Sequence, residues 1–293
     1  MASISFCKFH GFGNDYIVFE AIDLRGIFSI EDFARKVCHR NIGIGGDGIA
    51  VLEKLDSEAD YLCRIINPDG SEAGFSGNGT RCAVAYLYFK NLWSAENLKL
   101  QTRSGIKNYQ LLERGENTFW FLAELGKPKF DLPKTPLSKM ILSEANEAQD
   151  TQGFSLLLAE DEILINFTFV DAGNPVACVF VEDFDALDWR SIGQKIEHFT
   201  DVFPERTNAV FIKTIDKKNI EIRIWERGAG ETSSSGTCSI AAAVASALTG
   251  KTERKVSVHA EGGTTEAVWR EDGEMLITGR ADLAFCGEWF ENV

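Results

Sequence analysis

The stretch "RIINPDGSEAGFSGN" (64–78) returns in altered letters as "RIWERGAGETSSSGT" (223–237). At a constant offset of 159, Arg64 falls on Arg223, Ile65 on Ile224, Glu72 on Glu231, Ser76 on Ser235 and Gly77 on Gly236. Each copy reads as a strand, a glycine-containing loop with an acid, a Ser-Gly turn and an Ala-rich helical run. Those runs are "TRCAVAYLYFKNL" (80–92) and "TCSIAAAVASALTG" (237–250). A repeat at half-chain distance points to a duplicated unit. Strand–loop–helix units are common, so chance is the competing explanation, and the constant offset over several positions argues against it. Duplication would bring two helix N-termini, each led by a serine, to one cleft. Backbone N–H groups there can hold an anion.

Working outward, alternating apolar runs predict many strands: "SISFCKFH" (3–10), "YIVFE" (16–20), "YLCRIIN" (61–67), "NTFWFLAEL" (117–125), "EILINFTFV" (162–170), "NAVFIKT" (208–214), "IEIRIWE" (220–226), "KVSVHAEG" (255–262), "AVWRE" (267–271) and "EMLITG" (274–279). Further helices are predicted over "SIEDFARKVCHR" (29–40) and "DWRSIGQKIEHF" (188–199). Ser29 reads as an N-cap, and Gly250 as the residue that closes the second Ala-rich helix. The fold class is α/β (α+β). "LGKPKFDLPKTPLSK" (125–139) holds three of the six prolines and has no period, so it is the expected connection between the halves.

The chain has 293 residues, 44% hydrophobic and 25% charged, which is ample for a core. A formal net charge of −14 argues against nucleic acid or an anionic membrane as partner, and says little about a small anionic substrate. No long apolar run and no signal-peptide layout appears, so a cytoplasmic protein is expected. The seven cysteines (7, 38, 63, 82, 178, 238, 286) are odd in number and lack a C-x-x-C pair. Reduced thiols are therefore expected, with neither a disulfide framework nor a zinc site. His10, His39, His198 and His259 show no ligand spacing, and no metal is expected.

Six blocks then carry a resemblance. "KFHGFGNDY" (8–16), "RNIGIGGDG" (40–48), "NPDGSEAGFSGNGTRC" (67–82), "GNP" (173–175), "FPERTNAVF" (203–211) and "ERGAGETSSSGT" (226–237) resemble, in order and spacing, the signature blocks of the diaminopimelate epimerase family. The resemblance implies two pseudo-symmetric domains, each a β-barrel-like sheet wrapped on a central helix, with the active site in the cleft between them. It places residues 1–123 with 282–293 in the N-terminal domain and 124–281 in the C-terminal domain. It implies cofactor-independent inversion of an amino-acid α-carbon, LL- to meso-diaminopimelate, in lysine and peptidoglycan synthesis. The partner is then a small amino-acid substrate, and a homodimer is left open. One cysteine on each domain serves the family as base or acid on opposite faces of the carbon.

Both family cysteines are absent. Ser76 and Ser235 stand at the two positions, and Val176 follows "GNP" where the family usually has histidine. Cysteine has a pKa of about 8.5, and a serine hydroxyl lies nearer water, at roughly 16. The gap of ~7 units is ~10 kcal/mol in forming the anion, far beyond a helix dipole of about 0.3–2 kcal/mol. Unaided serines cannot replace thiolates. Something activates them, another group does the work, or the epimerase reaction is slow or lost. Taken alone, each serine is a good helix N-cap. Cys82 and Cys238, one or two turns into the helices, read first as small buried apolar residues, Cys238 less firmly.

Glu226 and Arg227 suit a zwitterion, guanidinium to carboxylate and carboxylate to ammonium, although an adjacent Glu-Arg is ordinarily a solvated pair. Without a histidine at 176, Glu226 keeps its expected catalytic place on the resemblance alone. Asn14, Asn67, Asn174 and Asn208 are turn residues by composition and substrate contacts by resemblance. Gly77, Asn78, Gly236 and Thr237 would present N–H groups to the α-carboxylate. Gly43, Gly45, Gly46 and Gly48 lack the Lys-Ser/Thr of a phosphate loop and read as turn glycines. The alternative function is a divergent homologue without the thiol pair that isomerises, eliminates or only binds a related amino acid. The serines arose by divergence or by design, and Val176 favours divergence.

Overall fold

The computed structural model describes residues 3–131, 140–142, 153–158 and 163–290. The chain divides into two compact units, Met1–Glu124 with Thr278–Val293, and Leu125–Ile277. The sequence reading put the crossings at 123/124 and 281/282. Thr278 onward joins the first unit because Gly279 lies against the Arg81 guanidinium, where a Cβ would come within 2.6 Å of its Cζ.

The first unit contains β1 (Ser3–Gly11), β2 (Asn14–Glu20), α1 (Ile30–Cys38), β3 (Gly48–Lys54), β4 (Tyr61–Ile66), β5 (Glu72–Ala73), α2 (Gly77–Phe89), β6 (Asn97–Thr102), β7 (Gly105–Arg114) and β8 (Thr118–Glu124). The strands pair in the order β8-β7-β6-β4-β3-β2-β1, with β2–β3 and β4–β6 parallel. The final strand of the chain, numbered β18 below, spans Met275–Phe290 and pairs with both β1 and β8, so the ring of strands closes. Inside it runs α2, whose residues from Gly77 to Tyr88 are all buried. With Asn78, Thr80 and Arg81 buried along with its apolar residues, this helix has no solvent face and is enclosed. In α1, Ser29 caps the start by accepting from the Asp32 N–H, and the buried Phe33, Ala34, Val37 and Cys38 form the inward stripe.

The second unit contains β9 (Met140–Leu142), β10 (Gly153–Leu158), β11 (Ile163–Asp171), β12 (Pro175–Phe180), α3 (Trp189–Glu197), β13 (Asn208–Asp216), β14 (Asn219–Glu226), β15 (Gly230–Thr232), α4 (Gly236–Leu248), β16 (Lys255–Ala260) and β17 (Gly263–Trp269). Its pairing repeats that of the first unit. Parallel β12–β13 matches β2–β3, antiparallel β13–β14 matches β3–β4, and parallel β14–β16 matches β4–β6. Buried α4 matches α2 and ends at Thr249, with Gly250 at φ 69° closing it. A second core joins Phe167, Phe169, Trp189, Ile192, Phe203 and Phe211 under α3.

Two corrections follow. Strands β5, β6, β7, β9, β10 and β15 were not predicted, and neither were β3 and β12, "GIAVLEK" and "PVACVF": each of these last two is the parallel partner of a neighbour and buried on both faces, so its apolar run does not alternate. The expectation of uniformly reduced cysteines is also wrong. The β1–β18 register sets Cys7 opposite Cys286 with Cα atoms 4.0 Å apart, and the two form a disulfide. A separation of 279 residues hides that pairing from any spacing rule. Of the expected connection 125–139, Leu125 donates to the Met275 carbonyl and Lys129 bridges to Asp171, while 132–139 lie outside the described residues. No helix among the described residues is long and apolar enough to cross a membrane.

Candidate active site

In the first unit, the Ser76 side chain sits at the start of α2 and accepts from the Gly79 N–H at 3.1 Å, the N-cap expected of it. Its Oγ is also 2.9 Å from the Tyr16 hydroxyl. The β1–β2 hairpin turns through Phe12 and Gly13, both at positive φ (53° and 91°), which brings Asn14 and Tyr16 back toward the helix start. Gly11 is required there: an added Cβ would lie 2.9 Å from Asn78 Oδ1. Asn78 donates to Asn14 Oδ1 at 3.2 Å, and its own Oδ1 accepts from buried Arg81 at 2.8 Å. The Asn67 amide donates to Ser71 Oγ at 3.0 Å.

Behind Asn14 lies an ion network. Asn14 donates to Asp47 Oδ2 at 2.7 Å. Arg40 joins Asp47 and Asp15 at 2.6 and 2.8 Å, and Lys8 reaches Asp15 at 2.7 Å. Burial pushes the Asp15 carboxyl up, but hydrogen bonds and charge from Arg40 and Lys8 outweigh it and hold the pKa at about 2. Asp47 moves the other way, raised by burial and by the Asp15 charge. Gly43, Gly45 and Gly46 belong to the connection into β3 that carries Asp47, and Gly48 opens β3. Gly43 N donates to the His39 carbonyl, and Gly45 N to that of Val37.

In the second unit, buried Ser235 begins α4 and accepts from the Cys238 N–H at 3.5 Å. Its hydroxyl donates to Glu226 Oε2 at 2.8 Å, and Thr232 donates to Glu226 Oε1 at 2.8 Å. Thr237 Oγ1 lies 3.4 Å from Ser235 Oγ. Asn208 Oδ1 accepts from the Arg227 N–H at 2.9 Å, and the Arg227 guanidinium donates to the Glu205 carbonyl at 2.8 Å. Asn174 closes the turn into β12, its carbonyl accepting from Ala172 N at 3.2 Å. Val176 is fully buried in β12 opposite Asn208 and carries no exchangeable proton.

Three residues escaped the sequence reading. Tyr16 stood within "KFHGFGNDY" but not as a site residue. Asp47 positions Asn14. Buried Glu197 accepts from Arg206 and Gly228 N with one oxygen and from Trp225 Nε1 with the other, which fixes the loop after Glu226. Its signal, a lone acid at the end of a predicted helix, was weak. Cys82 and Cys238 are fully buried. Burial pushes both thiols well up, and the Glu226 charge adds to this at Cys238, so neither is a ready thiolate. Among the described residues, no group of three or more His, Cys, Asp or Glu side chains could hold a metal ion.

A buried helix led by a serine and wrapped by strands, occurring twice in one chain, defines a known class of fold. The chain is similar over 99% of its length to a hydroxyproline epimerase from Agrobacterium vitis (TM-score 0.66, 13% identity, 91% of that chain covered). It is also similar over 99% to a PhzF-family phenazine biosynthesis protein from Bacillus anthracis (TM-score 0.61, 19% identity, 100% of that chain covered). Within that class the sequence decides. A profile of the diaminopimelate epimerase family matches residues 6–130 and 168–284. The diaminopimelate epimerase of Moorella thermoacetica is 35% identical over 285 residues, covering 97% of this chain and 98% of that protein. That of Desulfitobacterium hafniense is 36% identical over 287 residues, with the same coverage. The chain belongs to the diaminopimelate epimerase family.

Proposed function

We propose that the protein is a cofactor-independent epimerase acting on an amino acid of the diaminopimelate type, LL to meso, with Ser235 and Ser76 as the proton-transferring groups and Glu226 as the base behind Ser235. The observation that carries this is the Ser235 hydroxyl donating to Glu226 at 2.8 Å. A carboxylate that takes the hydroxyl proton as the serine oxygen takes the α-proton spares the site a free alkoxide. The α-proton passes to Ser235, the serine proton passes to Glu226, and the opposite face receives a proton through Ser76. Both serines would act on one substrate molecule. Gly77, Asn78, Gly236 and Thr237 would hold the α-carboxylate at the two helix starts, where developing enediolate charge is favoured. Asn14, Asn67, Asn174, Asn208 and Arg227 would hold the remaining polar groups. Close similarity to named diaminopimelate epimerases supports the substrate, and with it a place in lysine or peptidoglycan synthesis in the cytoplasm.

The second reading is a divergent relative that isomerises, eliminates or only binds a related amino acid. The absence of both thiols favours it. Proton NMR of LL-diaminopimelate in heavy water with this protein separates the two. Loss of the α-proton signal with formation of meso product supports the epimerase. Binding without exchange overturns it.

A further inference from the structure

We propose that Tyr16 is the proton-bearing partner of Ser76, relaying protons through the serine hydroxyl as Glu226 does through Ser235. This rests on the epimerase reading above. The Tyr16 hydroxyl is 2.9 Å from Ser76 Oγ, and the ring is held for that contact. Tyr16 is buried in register with Gly48 of β3, where an added Cβ would come within 2.8 Å of Tyr16 Cε1. Gly79, in the first turn of α2, leaves room on another side, its Cβ position also 2.8 Å from Cε1. Two glycines therefore clear space for an aromatic ring whose hydroxyl ends at the helix-capping serine.

The internal repeat shows why the two serines need different partners. Gly13-Asn14-Asp15-Tyr16 corresponds to Gly173-Asn174-Pro175-Val176. Both glycines have positive φ (91° and 95°), and the pairing of Tyr16 with Gly48 recurs as Val176 with Asn208. The offset that carries Ser76 to Ser235 carries Asn67 to Glu226. Each unit thus offers two places for a proton-bearing group and fills one. The first unit has a phenol and an amide, the second a valine and a carboxylate. Neither the Asn67 amide nor the Val176 side chain can act as an acid or base at neutral pH.

The step balances without a co-reactant. When the carbanion is protonated from the Ser76 side, a C–H bond forms as the Ser76 O–H bond breaks. The Ser76 oxygen takes the phenolic proton, and Tyr16 is left as phenolate. In reverse, the phenolate takes the serine proton as the serine oxygen removes the α-proton. Water restores the starting protonation between turnovers. A phenol is about six units more acidic than an alkanol, so the charge rests on the ring rather than on Ser76. Tyr16 acts through Ser76 and is a positioning residue.

The test uses the full chain and three variants, Tyr16→Phe, Ser76→Cys and the pair together, with α-proton exchange of LL-diaminopimelate followed by NMR in heavy water. Tyr16→Phe is expected to lower kcat at least ~100-fold and to change KM less than about threefold. In the Ser76→Cys background the same change is expected to cost less than about threefold, because a thiol ionises without the phenol. The alkaline limb of the kcat profile should disappear with the phenol. Phenylalanine keeps the ring, and unchanged circular dichroism and substrate binding verify the fold. Equal losses in the two backgrounds, or an unchanged kcat, overturn the relay and leave the epimerase reading standing. Binding by the unaltered protein with no exchange overturns the epimerase reading, and the relay falls with it.

Discussion

Ser76 and Ser235 share a place at a helix start and differ in what stands behind the hydroxyl. Ser235 faces a carboxylate and Ser76 faces a phenol. A hydroxyl alone lies ~7 units above a thiol, so function at these positions depends on those neighbours. Glu226→Gln keeps the shape and removes the acceptor of the serine proton. It is expected to lower kcat about 10²–10⁴-fold in the exchange assay, with substrate binding measured by calorimetry retained. Cys238→Ala gives the contrasting result. Its thiol is buried and resists ionisation, so exchange should stay within about twofold of the unaltered protein. A large loss there would make Cys238 the working base.

At the scale of elements, the first turn of α2 and the β1–β2 hairpin are fitted to each other. Gly79→Ala would ordinarily favour a helix by ~1 kcal/mol. Here the new Cβ meets Tyr16 Cε1 at 2.8 Å and Ile65 Cδ1 at 3.0 Å. Overpacking is expected to win, with a net loss of about 1–3 kcal/mol in urea denaturation and a weakened Tyr16–Ser76 contact. The hairpin base has its own pH signature. The folded Asp15 pKa of about 2 lies below the ordinary aspartate value of 3.8, so its contribution is complete above roughly pH 4 and is lost as pH falls toward 2. Asp47 is raised and opposes this, since its protonation favours the folded state. Urea midpoints should therefore drop most steeply below pH 4, and Asp15→Asn should flatten that drop. An equally steep drop in the variant would show that the network is not its source.

On the scale of the molecule, one pattern of strands around a buried helix is used twice, and the chain ends by returning its last strand to its first. The Cys7–Cys286 disulfide ties β1 to β18 inside the first unit. Linking residues so distant in sequence restricts the unfolded chain, by up to about 5 kcal/mol in the entropic account. Dithiothreitol is expected to lower the melting temperature of the unaltered protein and to leave that of Cys286→Ser unchanged. Equal melting of the oxidised and reduced protein would show that the bond adds no stability.

The sequence by itself determined the duplication, the two Ala-rich helical runs and the serines that cap them. Those features stand in the letters themselves: an Ala-rich run, a Ser before Gly-Asn or Gly-Thr, and a repeat at fixed offset. The signature blocks likewise marked Asn14, Asn78, Asn208, Glu226 and Arg227. Only the tertiary structure decided what each serine touches. Tyr16 lies 60 residues from Ser76 and reaches it because a two-residue hairpin and two glycines bring the ring to the helix start. Cys7 meets Cys286, and Asp47 meets Asn14, through strand registers that no spacing encodes. Strands β3 and β12 stayed hidden because burial on both faces removes the alternation by which a strand is read. Local composition fixes which residues are helix caps and core, and long-range pairing fixes which proton donors stand beside them.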